Sequence, residues 1–152
     1  MRRTMALTIA VLALCALPAD TAEFSGAASW YEGADGFERA VETAEQEGKA
    51  LMVYFRTDWC PYCRQFEEEL LSTEEVNLFL SKVIPVTVNP ESGRQEEEIA
   101  SAYGVRGYPA VFMHPAGLEA PRRISRTRVV NGKPQLQSPV EFVQTLARAA
   151  TK

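Results

Sequence analysis

The stretch Ala50-Leu51-Met52-Val53-Tyr54-Phe55-Arg56-Thr57-Asp58-Trp59-Cys60-Pro61-Tyr62-Cys63 decides the fold. Its first six residues are apolar and of strand length, the pattern of a strand buried on both faces. Pro61 suits the first turn of a helix, where a missing N–H loses no partner. The stretch therefore predicts a strand, a short turn and a helix running from Cys60 to about Leu71, with the Cys pair at its start.

A Cys-x-x-Cys pair in that place carries a chemistry. Unpaired N–H groups and the helix dipole favour negative charge at a helix start, so Cys60 is expected to ionise more readily than a free thiol. A Cys60 thiolate can attack a disulfide and form a mixed disulfide, which Cys63, one turn deeper, then displaces. Cys60 is the expected nucleophile and Cys63 the resolver. Two cysteines three apart close too small a loop to staple a domain, so the pair points to chemistry or metal binding. Zinc is disfavoured, because the only other Cys is Cys15 and the only His is His114. Copper(I) favours thiolates and stays as an alternative, although no Met or His motif accompanies the pair. A redox-silent binding module is the rival from another class. No metal and no cofactor beyond the Cys60–Cys63 disulfide is expected.

Working outward, Phe37, Ala40, Val41 and Ala44 follow helical periodicity, with Asp35 and Glu38 at capping-box spacing and Gly48 as the stop. Thr73 to Ser81 reads as a second short helix with Val76, Phe79 and Leu80 inward. Val83 to Val88 reads as a strand. Pro85 donates no ladder hydrogen bond, which places that strand at an edge. No strand run is evident before the first helix. Gln95 to Tyr103 reads as a helix, and Ala110 to Met113 and Ile124 to Val130 as strands. Ser138, Pro139 and Glu141 open a last helix with a capping box, burying Phe142, Val143 and Leu146. The first half is then a βαβ unit and the second a hairpin closed by a helix. His114 falls at an exposed turn and is given no role. Arg122, Arg123, Arg126 and Arg128 cluster and read as a solvated strand and turn.

The stretch Asp58 to Cys63 resembles the active-site turn of the thioredoxin family. Gly104-Val105-Arg106-Gly107-Tyr108-Pro109-Ala110 resembles that family's second signature. The two occur in the right order, which is far more specific than a lone Cys pair. The resemblance covers about Trp30 to Gly117, with the closing helix in register behind it. It implies an α/β thioredoxin fold, a central mixed sheet of four or five strands flanked by helices. It implies that Pro109 is cis and that its loop faces the Cys pair. Tyr108 then offers its backbone to an extended substrate, and Trp59, Pro61 and Tyr62 complete the substrate surface. Lys49 to Cys63 and the acidic helix behind it are similar to the C-terminal domain of the membrane-embedded disulfide reductase of the bacterial periplasm. That similarity favours the reductase direction, although redox direction is set by the stability of the reduced pair. The Pro-Tyr dipeptide is that of glutaredoxins, but Trp59 and the helix before the first strand are thioredoxin-like, so a glutathione site is not implied.

There is one departure from the family. Thioredoxins carry a buried Asp six residues before the first Cys, and here Tyr54 occupies that position. Glu67 is the candidate replacement as proton acceptor, since Cys60, Cys63 and Glu67 lie at i, i+3 and i+7. The similar reductase domain carries a Glu there. The competing reading places Glu67 in a solvated run with Glu68 and Glu69.

The ends and bulk composition bound the rest. Arg2 and Arg3 precede an apolar run from Met5 to Leu17 and the small residues after Pro18, the pattern of a secretory signal peptide. The run is too short for an ordinary transmembrane helix, and Leu14 before Cys15 argues against a lipid anchor. Residues 1–19 are the expected signal peptide, 20–29 a lead-in and 30–150 a thioredoxin-like domain. Cleavage near Ala19 would leave 14 basic against 20 acidic residues and remove Cys15. The expected location is the periplasm or another exported compartment, where disulfides persist. The net charge of -4 disfavours a nucleic-acid binder. Expected partners are protein thiols and disulfides, with a membrane-held electron donor or acceptor as an open possibility. The chain is expected to be a monomer.

Overall fold

The computed structural model describes residues 28–151. The expected signal peptide, Cys15 and most of the lead-in lie outside the described residues.

The elements run β1 (Tyr31–Glu32), α1 (Gly33–Glu47), β2 (Leu51–Phe55), α2 (Pro61–Phe66), a π-helical turn (Glu67–Leu71), α3 (Glu74–Leu80), β3 (Ile84–Val88) and α4 (Arg94–Ala102). They continue with β4 (Ala110–His114), β5 (Arg122–Ile124), β6 (Thr127–Val130), β7 (Lys133–Leu136) and α5 (Pro139–Ala150). The main sheet has five strands in the order β1-β3-β2-β4-β5. The first three are parallel, and β4 and β5 are antiparallel to their neighbours.

Strand β2 sits in the middle, and its side chains alternate between two cores, as the pleat requires. Leu51, Val53 and Phe55 face Ala40 and Ala44 of α1 and Ala100 of α4. Met52 and Tyr54 face Phe66, Leu70, Val76, Leu80, Phe142 and Leu146. Ala28 and Trp30 pack against that second core. Each large apolar side chain buried this way contributes about 1.5–3 kcal/mol, so the apolar run at 51–55 anchors both layers.

The structure corrects several expectations. Strand β3 is not an edge: β1 pairs with it at Tyr31↔Val86 and Glu32↔Thr87. Two residues are too few to give a periodic signal, so the sequence hides β1. Pro85 is tolerated by alternation. Ile84 N–H donates to Ala50 O across to β2 at 2.9 Å, which turns the Pro85 nitrogen to the opposite side, and β1 begins only opposite Val86. The Asp35–Glu38 capping box does not form. Helix α1 starts earlier, at Gly33, and its Ala34 N–H donates instead to Glu96 Oε1 of α4 at 2.9 Å. The helix expected to Leu71 is α-helical only to Phe66. It then widens into the π-helical turn, with Ser72 N–H donating to Glu67 O at 2.9 Å.

The strand expected from Ile124 to Val130 is broken. The Ser125 hydroxyl donates to Thr127 O at 2.7 Å and accepts from Thr127 N–H at 3.3 Å, which ends β5. Thr127–Val130 instead forms a separate hairpin with β7. Asn131 and Gly132 turn it with φ of 51° and 75°. That Asn-Gly pair is the preferred hairpin signal for two residues of positive φ. His114 is the last residue of β4 rather than a free turn residue. It is half-buried, with Nε2 2.6 Å from the Tyr103 hydroxyl and Nδ1 2.8 Å from Glu119 O. The last helix begins as expected: Ser138 and Glu141 form the capping box around Pro139.

Candidate active site

The sheet register gathers four loops at one edge. Phe55 pairs with Val88 on one side and with Ala110 on the other. The turn after β2, the loop after β3 and the loop before β4 therefore meet beyond Phe55. Ile124 pairs with Val111, so the bend after β5 arrives at the same end.

The turn after β2 delivers the cysteines. Cys60 N–H donates to Thr57 O at 3.3 Å, and Thr57 is fully buried beneath it. Cys60 is the N-cap of α2, with Pro61 in the first turn. Cys60 and Cys63 form a disulfide, with Cα atoms 5.2 Å apart. Cys63 N–H donates to Cys60 Sγ at 3.1 Å. That bond is an electrostatic handle on one sulfur only, and a thiolate accepts such a bond more strongly than a thiol does. Cys60 is 2% exposed and Cys63 0%, so in this disulfide form the two differ by their place in the helix rather than by exposure.

The residues around the pair are open. Trp59 is 62% exposed and Tyr62 60%, large values for aromatic side chains that would otherwise bury apolar area. The Trp59 indole N–H is shared between both carboxylate oxygens of Glu91 at 3.0 Å each. Its ring meets Tyr108 edge to face at 6.4 Å. The Tyr108–Pro109 peptide is cis, and the register places Pro109 one step past the Phe55–Ala110 pair, beside the turn that leads to Cys60. On the other side, the Arg126 guanidinium lies over the Tyr62 ring at 5.7 Å. The structure thus gathers Trp59, Cys60, Pro61, Tyr62, Cys63, Tyr108 and Pro109 at one end of the sheet. Sequence reading missed Glu91 and Arg126. Each lies far along the chain from the cysteines, and neither position carries a motif.

Glu67 belongs to a neighbouring cleft of about 350 Å³ with Trp30, Tyr54, Arg56 and Leu71. Tyr54 is 2% exposed, and its hydroxyl donates to Glu67 Oε1 at 2.9 Å. Arg56 Nε lies 2.9 Å from the same oxygen. The N–H is not aligned on it, so this contact is an ion pair rather than a hydrogen bond. Glu67 is partly buried, unlike the exposed Glu68 and Glu69. It is not simply part of a solvated run. Among the described residues no cluster of three or more His, Cys, Asp or Glu is arranged to hold a metal ion.

A thioredoxin-like family model matches residues 30–116. Among curated proteins, the chain is 28% identical over 111 residues to protein disulfide-isomerase A3 of Gallus gallus, covering 72% of this chain and 19% of that protein. It is 29% identical over 84 residues to thiol:disulfide interchange protein DsbD of Vibrio cholerae, covering 54% of this chain and 14% of that one. The chain thus spans about a fifth of the first of these relatives and less of the second. Among solved structures, a thioredoxin from Thermus thermophilus superposes with a TM-score of 0.60 at 25% identity, over 80% of this chain and 86% of that one. The oxidised C-terminal domain of DsbD from Neisseria meningitidis superposes with a TM-score of 0.59 at 18% identity, over 80% and 99%. The fold is a thioredoxin fold, with a mixed five-stranded sheet flanked by helices.

Two phenols in this region titrate late. Burial, then the hydrogen bond and charge of Glu67, push Tyr54 well above the ordinary tyrosine value, and burial pushes Tyr103 up to about 12. The unfolded chain ionises these groups near pH 10. Their contribution to stability is therefore intact below about pH 10 and is lost as pH rises toward the folded-state values. Urea midpoints of the oxidised protein should fall from pH 10 to 12, and Tyr103→Phe should flatten that fall. An unchanged slope would show that Tyr103 ionises alike in both states.

Proposed function

This chain belongs to the thioredoxin-like family of disulfide oxidoreductases, and from that premise we propose that it is an exported enzyme exchanging disulfides with protein substrates. The observation that carries this reading is the Cys60–Cys63 disulfide at the start of α2, with Cys63 N–H directed at Cys60 Sγ. It supports Cys60 as the nucleophile, because a hydrogen-bonded thiolate forms at lower pH than a free thiol.

In the reducing direction, the Cys60 thiolate attacks one sulfur of a substrate disulfide. A Cys60–substrate disulfide forms and one substrate thiolate leaves. Cys63 loses its proton and attacks Cys60 Sγ, which closes the Cys60–Cys63 bond and releases the second substrate thiolate. Two electrons pass to the substrate, two protons follow them, and the enzyme ends oxidised. A dithiol donor restores it. The similarity to the periplasmic reductase domain favours this direction. A membrane-held dithiol is the donor consistent with that similarity.

Tyr108 and Pro109 are assigned to the substrate backbone, and the exposed Trp59, Pro61 and Tyr62 to its side chains. Exposed aromatic rims of this kind supply contact area at low entropic cost. Glu67 is assigned to the proton of Cys63. Its carboxylate is held by Tyr54 and Arg56, one turn of helix beyond that residue.

Four outcomes test the reading. Cys60→Ser should abolish reduction of a protein disulfide and trap nothing. Cys63→Ser should keep the first step and lose the second, so that mixed disulfides accumulate and their partners can be identified by mass spectrometry. Symmetric behaviour of the two variants would overturn the assignment of roles, and activity in the double variant would remove the enzyme. Glu67→Gln should slow decay of the mixed disulfide in stopped-flow measurements, whereas Glu68→Gln should leave it unchanged; equal rates would return Glu67 to a structural role. Export rests on the Arg2-Arg3 start and the apolar run behind it. N-terminal sequencing of protein from cells should begin between about Ala16 and Ser29, and a product that retains residues 1–15 would refute cleavage.

A further inference from the structure

The basic stretch from Arg122 to Arg128 is not one surface. Arg122 donates to the carbonyls of Arg148, Ala149 and Thr151 at the end of α5, the shortest contact being 2.8 Å. Arg128 pairs with Glu141 at 3.0 Å. Those two cations are used by the fold itself. Arg123 and Arg126 form no ion pair with a carboxylate among the described residues. The Arg123 guanidinium lies over the Phe112 ring at 5.8 Å, and that of Arg126 over Tyr62 at 5.7 Å. With Pro109, Ala110 and Ser125 they line an open groove of about 360 Å³.

The other flank has the opposite sign. Glu91 holds the Trp59 indole through both oxygens. Glu91 and Glu97 line a second depression together with Tyr108. After burial, their charges are what raise the Tyr108 phenol. The turn Trp59-Cys60-Pro61-Tyr62 therefore has the Glu91 carboxylate against its first aromatic and an arginine against its last. Both contacts pass through exposed rings at the rim of the disulfide.

Residues at the end of β5 help to line the groove. Strand β5 ends the sheet and, among the described residues, has no neighbour on its outer side, which suits an extended polypeptide. A polyanion such as nucleic acid would meet Glu91 and Glu97 at the same cleft.

We propose that the cleft sorts protein partners by charge, favouring a segment whose reactive cysteine has an acidic side chain close by on the side that lies along the Arg123–Arg126 groove. The Glu91–Glu97 flank disfavours the reversed orientation. This rests on the thiol-exchange function proposed above and adds the class of partner. Opposed potentials of this kind act mainly on encounter rate and orientation, and salt screens them.

The test uses short peptides with one cysteine, held as a mixed disulfide with mercaptoethanol. Each carries two Glu, two Lys or two Ser, placed on the N-terminal or the C-terminal side of that cysteine. Reduction by the dithiol form of the protein is followed in single turnover. Every rate is divided by that protein's own rate with hydroxyethyl disulfide, which is small and neutral. One Glu placement should react about fivefold faster than its Ser counterpart, the size of one or two exposed ion pairs, and the matching Lys peptide should react more slowly than Ser. Salt at 0.5 M should compress the spread. Arg123→Glu with Arg126→Glu should reverse the order of the Glu and Lys peptides. Equal rates for all peptides, or an order that survives the charge reversal, would overturn the proposal. Failure to reduce hydroxyethyl disulfide at all would instead count against the thiol-exchange function, so the two failures are distinguishable.

Discussion

Leu51–Phe55 is paired to β3 along one edge and to β4 along the other, and helices cover both its faces. A strand confined in this way can leave the sheet in one direction only. Arg56 N–H still donates to Val88 O at 3.2 Å, so the confinement reaches one residue past the strand. The turn from Thr57 to Trp59 then has little freedom, and it presents Cys60 at the first turn of α2. The parallel pairing to β3 brings the Glu91 loop to the same end, and the antiparallel pairing to β4 brings Pro109 there. The geometry of the site is thus a consequence of how the central strand is held.

The same alternation explains the unusual residue at position 54. Tyr54 points to the face covered by α2 and α5, where its ring meets Phe66 at 5.5 Å and Trp30 at 6.2 Å. A buried phenol needs a hydrogen-bond partner, and Glu67 supplies it. Arg56, two residues along the strand, lies on the same side and neutralises the carboxylate. A carboxylate is therefore still present near the cysteine helix, contributed by the helix rather than by the strand. The helix widens into its π-helical turn at this residue, and such turns gather at functional sites in helices.

The C-terminal half adds chemistry that the parallel half lacks. Ser125 ends β5 through its bonds to Thr127, and the chain bends where it passes the site. Arg126 is at that bend and reaches the Tyr62 ring. The hairpin beyond it is a separate two-stranded unit, tied to α5 by the Arg128–Glu141 pair. A sheet edge, an arginine groove and an aromatic rim therefore coincide on one side of the disulfide.

Local chemistry and strong periodicity make several parts of the fold legible along the chain. The apolar run at 51–55, the helix opening at Pro61, the stop at Gly48 and the capping box at Ser138 each follow from a few adjacent residues. So does the Cys60–Cys63 pair, whose spacing and helix position carry their own mechanism. The parts that depend on register follow from long-range pairing. Strand β1 has two residues and exists only because β3 offers a ladder beside it, which is also why Pro85 could not be read as interior. Glu96 displaced the local capping box of α1 by reaching Ala34 from another helix, an approach no local pattern encodes. Glu91 and Arg126 join the site because β3 and β5 end level with β2. A hydrogen-bonded register is a relation between distant segments, whereas a motif is a relation between neighbours, and only the second is written along the chain.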